Sequence, residues 1–295
     1  MKRAIVIGGG HNALTAAYYL ATASKWGAKG FLGRSHANDM KVTVLERRSV
    51  VGGAAVTEEF EPGFRNSTAS YSVGLLSPEV VREMDLRSHG LKMHPRKGAH
   101  FVPISSTEYF MTSYDDEENL RRIARLSPKD ADAYVRYNEM LQPIVPFLQQ
   151  QFLVSPPSFS SSNLRTASQV AQLCQDALRS LSPTAARSLY ELFTRSAGDI
   201  LDSFFETDVL KGILAFDAIT GNYASVYSAG SAYVMLHHVM GEIFDHAGQW
   251  GHATGGMGSI TQAMAKACVT TGNVEIATDA HVKCVLTEDG GMQGM

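Results

Sequence analysis

Three consecutive glycines near the start of the chain, Gly8 to Gly10, separate an apolar run from a segment of small residues. The run at residues 4–7 predicts a buried strand, and residues 11–17 predict a helix that begins directly after the glycines. The first N–H groups of such a helix have no partner inside the helix and carry partial positive charge. A diphosphate group satisfies them, so this pattern predicts a binding site for a dinucleotide.

Individual residues of this turn have separate predicted roles. Gly8 allows the sharp turn, and Gly10 lets the backbone approach the diphosphate, because a Cβ atom there would collide with it. Asn12 lies beside the diphosphate in the first turn of the helix. Ala13 stands where the dinucleotide fingerprint accepts glycine or alanine, which lets the helix pack tightly on the strand.

A second strand and an acid support this prediction. Residues 42–45 predict the strand, and Glu46 is the acid expected to accept hydrogen bonds from the hydroxyl groups of a ribose. Glu46 lies 38 residues after Gly8, where ~20 is usual, so we expect an insertion at residues 24–40. The alternative, a glycine-rich turn in some other α/β protein, is disfavoured by strand, turn, helix, strand and acid occurring together.

Other residues with potential chemistry are more isolated. The adjacent His237 and His238 are candidates for a proton acceptor near neutral pH, but neighbours on a helix point in different directions, so both cannot line one pocket. The alternative is a hydrogen-bonded histidine of the core. Ten histidines are present, and none pair in the way of a zinc helix, so we predict no metal site. The three cysteines form no close pair, which disfavours thiol–disulfide chemistry.

Composition excludes several classes of function. The apolar content of 44% supports a packed core, and the net charge of −3 shows no basic footprint for nucleic acid. No apolar run approaches ~18 residues, so we predict no transmembrane segment. Residues 56–76 look irregular, residues 77–250 look mostly helical with one hairpin, and strand and helix patterns return afterwards.

Three further motifs carry a resemblance to a known family. Gly52-Gly53 follows Glu46, residues 230–242 are GSAYVMLHHVMGE, and residues 255–258 are GGMG. Over nearly the whole chain these resemble FAD-dependent oxidoreductases of the amine oxidase and phytoene desaturase type. The resemblance implies an α/β fold, with a discontinuous Rossmann-like FAD-binding domain at residues 1–76 and 251–295. A mostly helical substrate domain at residues 77–250 would be inserted into it.

The resemblance also assigns residues to the FAD cofactor. Gly52, Gly53 and Ala54 would approach it by their backbone, Val282 would contact the adenine end, and Arg47 and Gly258 belong to the matching motifs. The complete predicted set is Gly8, Gly10, Asn12, Ala13, Glu46, Arg47, Gly52, Gly53, Ala54, Gly258 and Val282.

In this family another flavin-contacting segment, with a Gly-Asp pair, lies near the C-terminus, and nothing like it follows Gly258. Residues 288–291 predict a hairpin turn with only four residues after it. We therefore expect the chain to be an N-terminal part of a longer protein, colourless or aggregating when purified alone.

The predicted function is an FAD-dependent oxidoreductase that transfers a hydride from a small, apolar organic substrate to the flavin. The alternatives are a non-catalytic flavin-fold regulatory or scaffold protein, and an NAD(P)-binding dehydrogenase. The resemblance implies the mitochondrial matrix, although the sequence shows no presequence and the cytoplasm is the alternative. Sequence leaves the substrate, electron acceptor and oligomeric state open.

Overall fold

The computed structural model describes residues 2–26, 39–98, 100–154, 156, 164–243, 246–287 and 292–294. Two compact units divide the chain, the first formed by Met1–Arg96, Glu242–Asp245 and Trp250–Met295, and the second by Lys97–Gly241 and His246–Gln249. Residues 27–38 of the predicted insertion and the predicted turn at 288–291 lie outside the described residues.

The elements follow in chain order. They are β1 (Arg3–Ile7), α1 (His11–Ala21), α2 (Ala23–Trp26), β2 (Lys41–Leu45), β3 (Thr57–Glu61), β4 (Phe64–Ser67), α3 (Pro78–Glu83), β5 (Met93–Pro95), β6 (Phe101–Pro103), β7 (Tyr109–Met111), α4 (Asp116–Leu126), α5 (Pro128–Leu141), α6 (Ile144–Gln151), α7 (Leu164–Ser180), α8 (Pro183–Thr194), α9 (Ala197–Phe204), α10 (Asp208–Ile219), α11 (Ser231–Val239), β8 (Glu242–Ile243), β9 (His246–Ala247), β10 (Gly251–Ala253), α12 (Gly258–Thr270), β11 (Val274–Ala277), β12 (Cys284–Leu286) and β13 (Met292–Gly294).

A parallel sheet with the strand order β1-β2-β11 forms the centre of the first unit. Its middle strand buries Val42 and Val44, and α1 connects it to β1 as the sequence predicts. Helices α1 and α12 pack against each other and against the sheet. Their buried residues are Leu14, Ala17, Tyr18, Ala21, Gly258, Ile260, Thr261, Ala263, Met264, Ala267 and Cys268. Burial of each large apolar side chain contributes ~1.5–3 kcal/mol.

Parts of the first unit differ from the sequence predictions. The segment expected to be irregular contains the antiparallel hairpin β3–β4. Strand β5 pairs with β10, and Tyr18 of α1 donates a hydrogen bond of 2.6 Å to the carbonyl of Glu83 in α3. Residues 77–96 therefore pack in the first unit, whereas the sequence places them in the helical domain. The sequence predicts a strand over residues 280–286, and the observed strand β12 is shorter because it begins only at Cys284.

Helices α4 to α11 and the hairpin β6–β7 form most of the second unit. Two helices of this unit begin at side-chain caps, of which the sequence predicts the second, Ser182. Asp115 accepts hydrogen bonds from the N–H groups of Glu117 and Glu118, and Ser182 accepts one from Ala185. Among the helices that the structure describes, none is long and apolar enough to cross a membrane.

The sequence predicts a helix over residues 128–151 that bends at Pro143 and Pro146. The structure divides it at Pro143, which lacks the N–H group that a helix interior requires. The sequence also predicts a helix around residues 198–216, and the structure divides it before α10, where Asp130 accepts hydrogen bonds from the N–H groups of Glu206 and Thr207 at 2.8 and 2.9 Å. Burial opposes charge on Asp130, yet these hydrogen bonds hold its pKa below the usual value.

Candidate cofactor-binding site

The glycine turn places its three residues in different surroundings. Gly8 has φ of +95°, which only glycine adopts readily, and its N–H donates to the Leu45 carbonyl at 2.8 Å. Among the residues that the structure describes, a Cβ atom at Gly8 would meet nothing within 4 Å, and one at Gly10 would meet only the Cα of Gly53, at 3.9 Å. At Gly9 a Cβ atom would lie 3.0 Å from Val51. The turn is therefore packed at Gly9 and open at its other two positions.

Helix α1 begins at this open side. Gly10 is its N-cap, in an extended conformation, and within the described part of the chain no side chain caps the helix or places an acid in its first turn. Asn12 is exposed in that first turn. The first N–H groups of an eleven-residue helix thus remain available to an anion, as the sequence predicts.

The double glycine after Glu46 lies against the glycine turn. The N–H of Gly52 donates to the carbonyl of Gly9 at 2.9 Å, and Gly10 and Gly52 form a short parallel bridge. Gly53 has φ of +59°, and a Cβ atom there would lie 3.1 Å from the Cα of Gly10. These two turns form a cradle whose inner surface is backbone, and added side chains would fill it.

Glu46 braces this cradle, a role that the sequence did not predict. Its side chain is 7% exposed, and Oε2 accepts a hydrogen bond from the N–H of Gly9 at 2.6 Å. Oε1 accepts one from the N–H of Arg48 at 2.8 Å. A carboxylate has about four acceptor positions, so these two bonds leave capacity for the hydroxyl groups of a ribose.

Gly258, another predicted cofactor residue, lies in a closed environment. Its N–H donates to Thr57 Oγ1 at 3.0 Å, and a Cβ atom there would lie 2.6 Å from the Thr57 nitrogen. The preceding Met257 N–H donates to Ser67 Oγ at 3.0 Å. Thr261, one turn later, donates to the Ala55 carbonyl at 2.8 Å and so supports the double-glycine turn.

The structure thus brings Gly8, Gly10, Glu46, Gly52 and Gly53 together. The remaining predicted residues, Asn12, Ala13, Arg47, Ala54, Gly258 and Val282, keep their cofactor assignments as predictions.

Among those remaining residues, Arg47 and Ala54 are exposed. Asp279 and Ala280 donate N–H groups to the carbonyls of Arg48 and Glu46 at 3.0 and 2.9 Å, so the segment leading to Val282 runs beside Glu46.

Sequence reasoning missed Gly9, Thr57 and Thr261. The position of Gly9 in a run of three glycines was a usable signal, but the two threonines have no local one.

The predicted proton acceptors belong to the second unit. His238 is buried, and its Nδ1 lies 2.8 Å from the Val234 carbonyl, which fits a histidine of the core. His237 is half-buried among aromatic rings. Burial lowers its pKa, and the neighbouring His238 lowers it further. Within the described ranges, no group of three or more metal-ligating side chains could hold a metal ion.

A parallel β–α–β unit with an open glycine turn, an acid after its second strand and a facing double glycine defines a dinucleotide-binding protein of the α/β type. Residues 14–294 match the family described as flavin containing amine oxidoreductase, and the chain belongs to this family. The resemblance found in the sequence is thereby confirmed. Membership implies a flavin cofactor, and the open cradle of Gly10 and Gly53 has room for a diphosphate group.

Similar proteins agree with this membership. The chain is 35% identical, over 308 residues, to pyridine nucleotide-disulfide oxidoreductase domain-containing protein 2 of Rattus norvegicus, covering 99% of this chain and 50% of the relative. It is 34% identical over 142 residues to one component of the limonene dehydrogenase of Castellaniella defragrans, covering 46% of this chain and 23% of that protein. The chain spans about half the length of the first curated relatives it matches.

One solved structure supports the fold alone. A Rab GDI from Plasmodium falciparum superposes with a TM-score of 0.51 at 12% identity, covering 99% of this chain and 61% of that one.

Proposed function

We propose that the chain forms the FAD-binding part of an oxidoreductase that removes a hydride from a C–H or C–N bond of a small, apolar organic substrate. The observation that carries the proposal is the backbone cradle of Gly10 and Gly53 at the uncapped start of α1, beside Glu46. Bound flavin would supply the hydride acceptor, so the protein itself needs neither a nucleophile nor a metal ion.

The residues of the first unit have distinct parts in this proposal. The first N–H groups of α1 donate hydrogen bonds to the diphosphate and place its charge at the positive end of the helix dipole. Glu46 holds Gly9 and Arg48 by their N–H groups and accepts hydrogen bonds from the ribose. The double glycine keeps side chains away, so that the cofactor approaches the backbone.

The apolar character of the substrate has separate support. The name of the Castellaniella relative refers to limonene, a hydrocarbon without hydrogen-bonding groups, and that relative is similar to nearly half of this chain. The second unit also exposes large apolar side chains, among them Phe152, Tyr190 and Phe193. We assign substrate binding to this unit and cofactor binding to the first.

Calorimetric titration of a longer form of the protein that contains these residues, with FAD and with NADPH, tests the cofactor. We expect saturable binding of FAD only. Preferential binding of NADPH would favour the dehydrogenase alternative. Bleaching of the flavin spectrum by a panel of terpenes and amines without oxygen then tests turnover, and its failure across the panel would favour a non-catalytic flavin-fold protein.

A further inference from the structure

Four rings form a continuous strip in the second unit, which we call the aromatic strip. Phe193 of α8 lies 4.7 Å from Tyr233 of α11, measured between ring centroids. Tyr233 lies 6.3 Å from His237, one helical turn later, and His237 lies 6.0 Å from Phe152 at the end of α6. The strip therefore joins three helices by ring contacts.

The strip is separate from the packed core of its unit. The other face of α11 buries Ala232, Met235 and Leu236, whereas Phe152 and Phe193 remain 55% and 46% exposed. Tyr233 and His237 share the outer face because they are four residues apart on a helix. Contiguous exposed rings are unfavourable in water and mark binding sites, whereas single exposed apolar residues do not.

His237 adds one polar group to this surface. Its Nδ1 is buried and, among the residues that the structure describes, has no hydrogen-bond partner. Burial lowers the pKa of His237, so the ring is neutral near pH 7. A buried N–H without a partner is destabilising, so the proton belongs on Nε2. This nitrogen is left to bond a ligand that lies on the rings.

We propose that Phe152, Phe193, Tyr233 and His237 bind the substrate, a compact cyclic or aromatic molecule with one hydroxyl, carbonyl or amine group. The rings contact its apolar body, and His237 Nε2 bonds its polar group. This inference rests on the proposed function and narrows its substrate to a mostly apolar molecule that carries one polar group. A surface of four rings with a single hydrogen-bonding position suits a small molecule. A protein partner would need a larger surface, because a stable protein interface buries roughly 800 Å² on each partner.

Two probes that differ by one hydroxyl group test the inference, ethylbenzene and 4-ethylphenol. Their binding to the full chain is followed by NMR shifts of the ring signals of Tyr233 and His237. We expect 4-ethylphenol to bind about tenfold more tightly, since one additional hydrogen bond to a ring nitrogen is made. Equal affinity for the two probes would overturn the inference.

Variants separate the two parts of the surface. His237→Phe keeps a ring and should erase the preference for 4-ethylphenol while retaining ethylbenzene binding. Phe193→Ala should weaken both probes about tenfold by removing one of the contacting rings. Tyr223→Ala, the matched control, removes an exposed tyrosine that makes no ring contact with any described residue, and should change neither affinity.

Unchanged probe binding in Phe193→Ala would refute the binding surface. Ring signals that shift with protein concentration alone would assign the strip to self-association and would refute it as well. FAD titration of the same samples reports on the proposed function separately. Failure to bind FAD with intact probe binding would contradict the cofactor assignment and leave the aromatic strip as a binding surface.

Discussion

Helices α1 and α12 both begin at a glycine-rich turn, the first after residues 8–10 and the second after residues 255–257. At α1 the turn leaves the first N–H groups without a side-chain cap. At α12 the hairpin β3–β4 provides Thr57 and Ser67. Their hydroxyl groups accept hydrogen bonds from the N–H groups of Gly258 and Met257, respectively.

Both turns are glycine-rich in sequence, but only the turn before α1 leaves the first N–H groups of its helix available to a ligand. A glycine-rich turn before a helix predicts an anion site only where the rest of the fold leaves the helix end open. In this protein the α1 end fits a cofactor, and the α12 end is a packing contact that supports it through Thr261 and Ala55. Four substitutions test this difference.

The largest effect is expected from Gly53→Ala. Its Cβ atom would lie 3.1 Å from the Gly10 Cα, at a φ of +59° that alanine rarely adopts. Relieving such a contact costs about 1–3 kcal/mol, so we expect FAD affinity, measured by flavin fluorescence, to fall by up to about a hundredfold. Gly63→Ala is the matched control, because Gly63 also has positive φ, +82°, but has nothing within 4 Å of the added atom. Equal losses in both variants would contradict the cradle.

Glu46→Ala should have the next largest effect. It removes the acceptor for the ribose and leaves the N–H groups of Gly9 and Arg48 unpaired. Charge-assisted hydrogen bonds contribute about 1.5–3 kcal/mol each, so FAD should bind at least about tenfold more weakly. Glu46→Gln keeps the shape and one oxygen, and should lose less. FAD affinity that stays at the wild-type value in Glu46→Ala would refute both roles.

Thr57→Val should affect stability without affecting FAD. The substitution leaves the Gly258 N–H buried without its partner, which lowers the free energy of unfolding by about 1–3 kcal/mol. Urea denaturation measures this loss, and FAD titration should remain within about twofold of wild type. A tenfold loss of FAD affinity would instead place the start of α12 in the cofactor site, as the sequence predicts for Gly258.

The smallest effect is expected from Cys268→Ala, at the contact between the two helices. Cys268 Sγ donates to the Leu14 carbonyl at 3.2 Å, and burial raises the pKa of its thiol to about 12. The thiol is therefore protonated at pH 8, and in the folded chain iodoacetamide should modify the exposed Cys174 but not Cys268. FAD affinity should be unchanged.

The sign of the pH effect follows from the raised pKa. The unfolded chain ionises this thiol near pH ~8.5 and the folded chain only near 12. The contribution of Cys268 to the free energy of unfolding is therefore complete below the thiol pKa of the unfolded chain. It is lost as pH rises towards 12. In Cys268→Ala, this part of the loss of folding stability at alkaline pH should be absent. Modification of Cys268 at a rate like that of Cys174 would contradict its burial.

Local patterns in the sequence determined the elements around the cofactor site. The apolar run, the glycines and the small residues of β1 and α1 act on neighbours only a few residues away, so their order predicts a strand, a turn and a helix. The caps at Asp115 and Ser182 were equally predictable, because each side chain bonds N–H groups two or three residues later. Motif resemblance identified the family, which the match to residues 14–294 confirms.

Tertiary structure alone decided which backbone donors remain open. Glu46 meets the N–H of Gly9 across 37 residues, and Thr57 meets that of Gly258 across 201. The break before α10 depends on Asp130, and the surroundings of His237 depend on the Phe152 ring at the end of another helix, α6. Contacts over such separations leave no periodic signal in the sequence, since they depend on how whole elements pack. The residues next to a helix end therefore predict where N–H groups lie, and only the packing of distant elements determines whether a ligand can reach them.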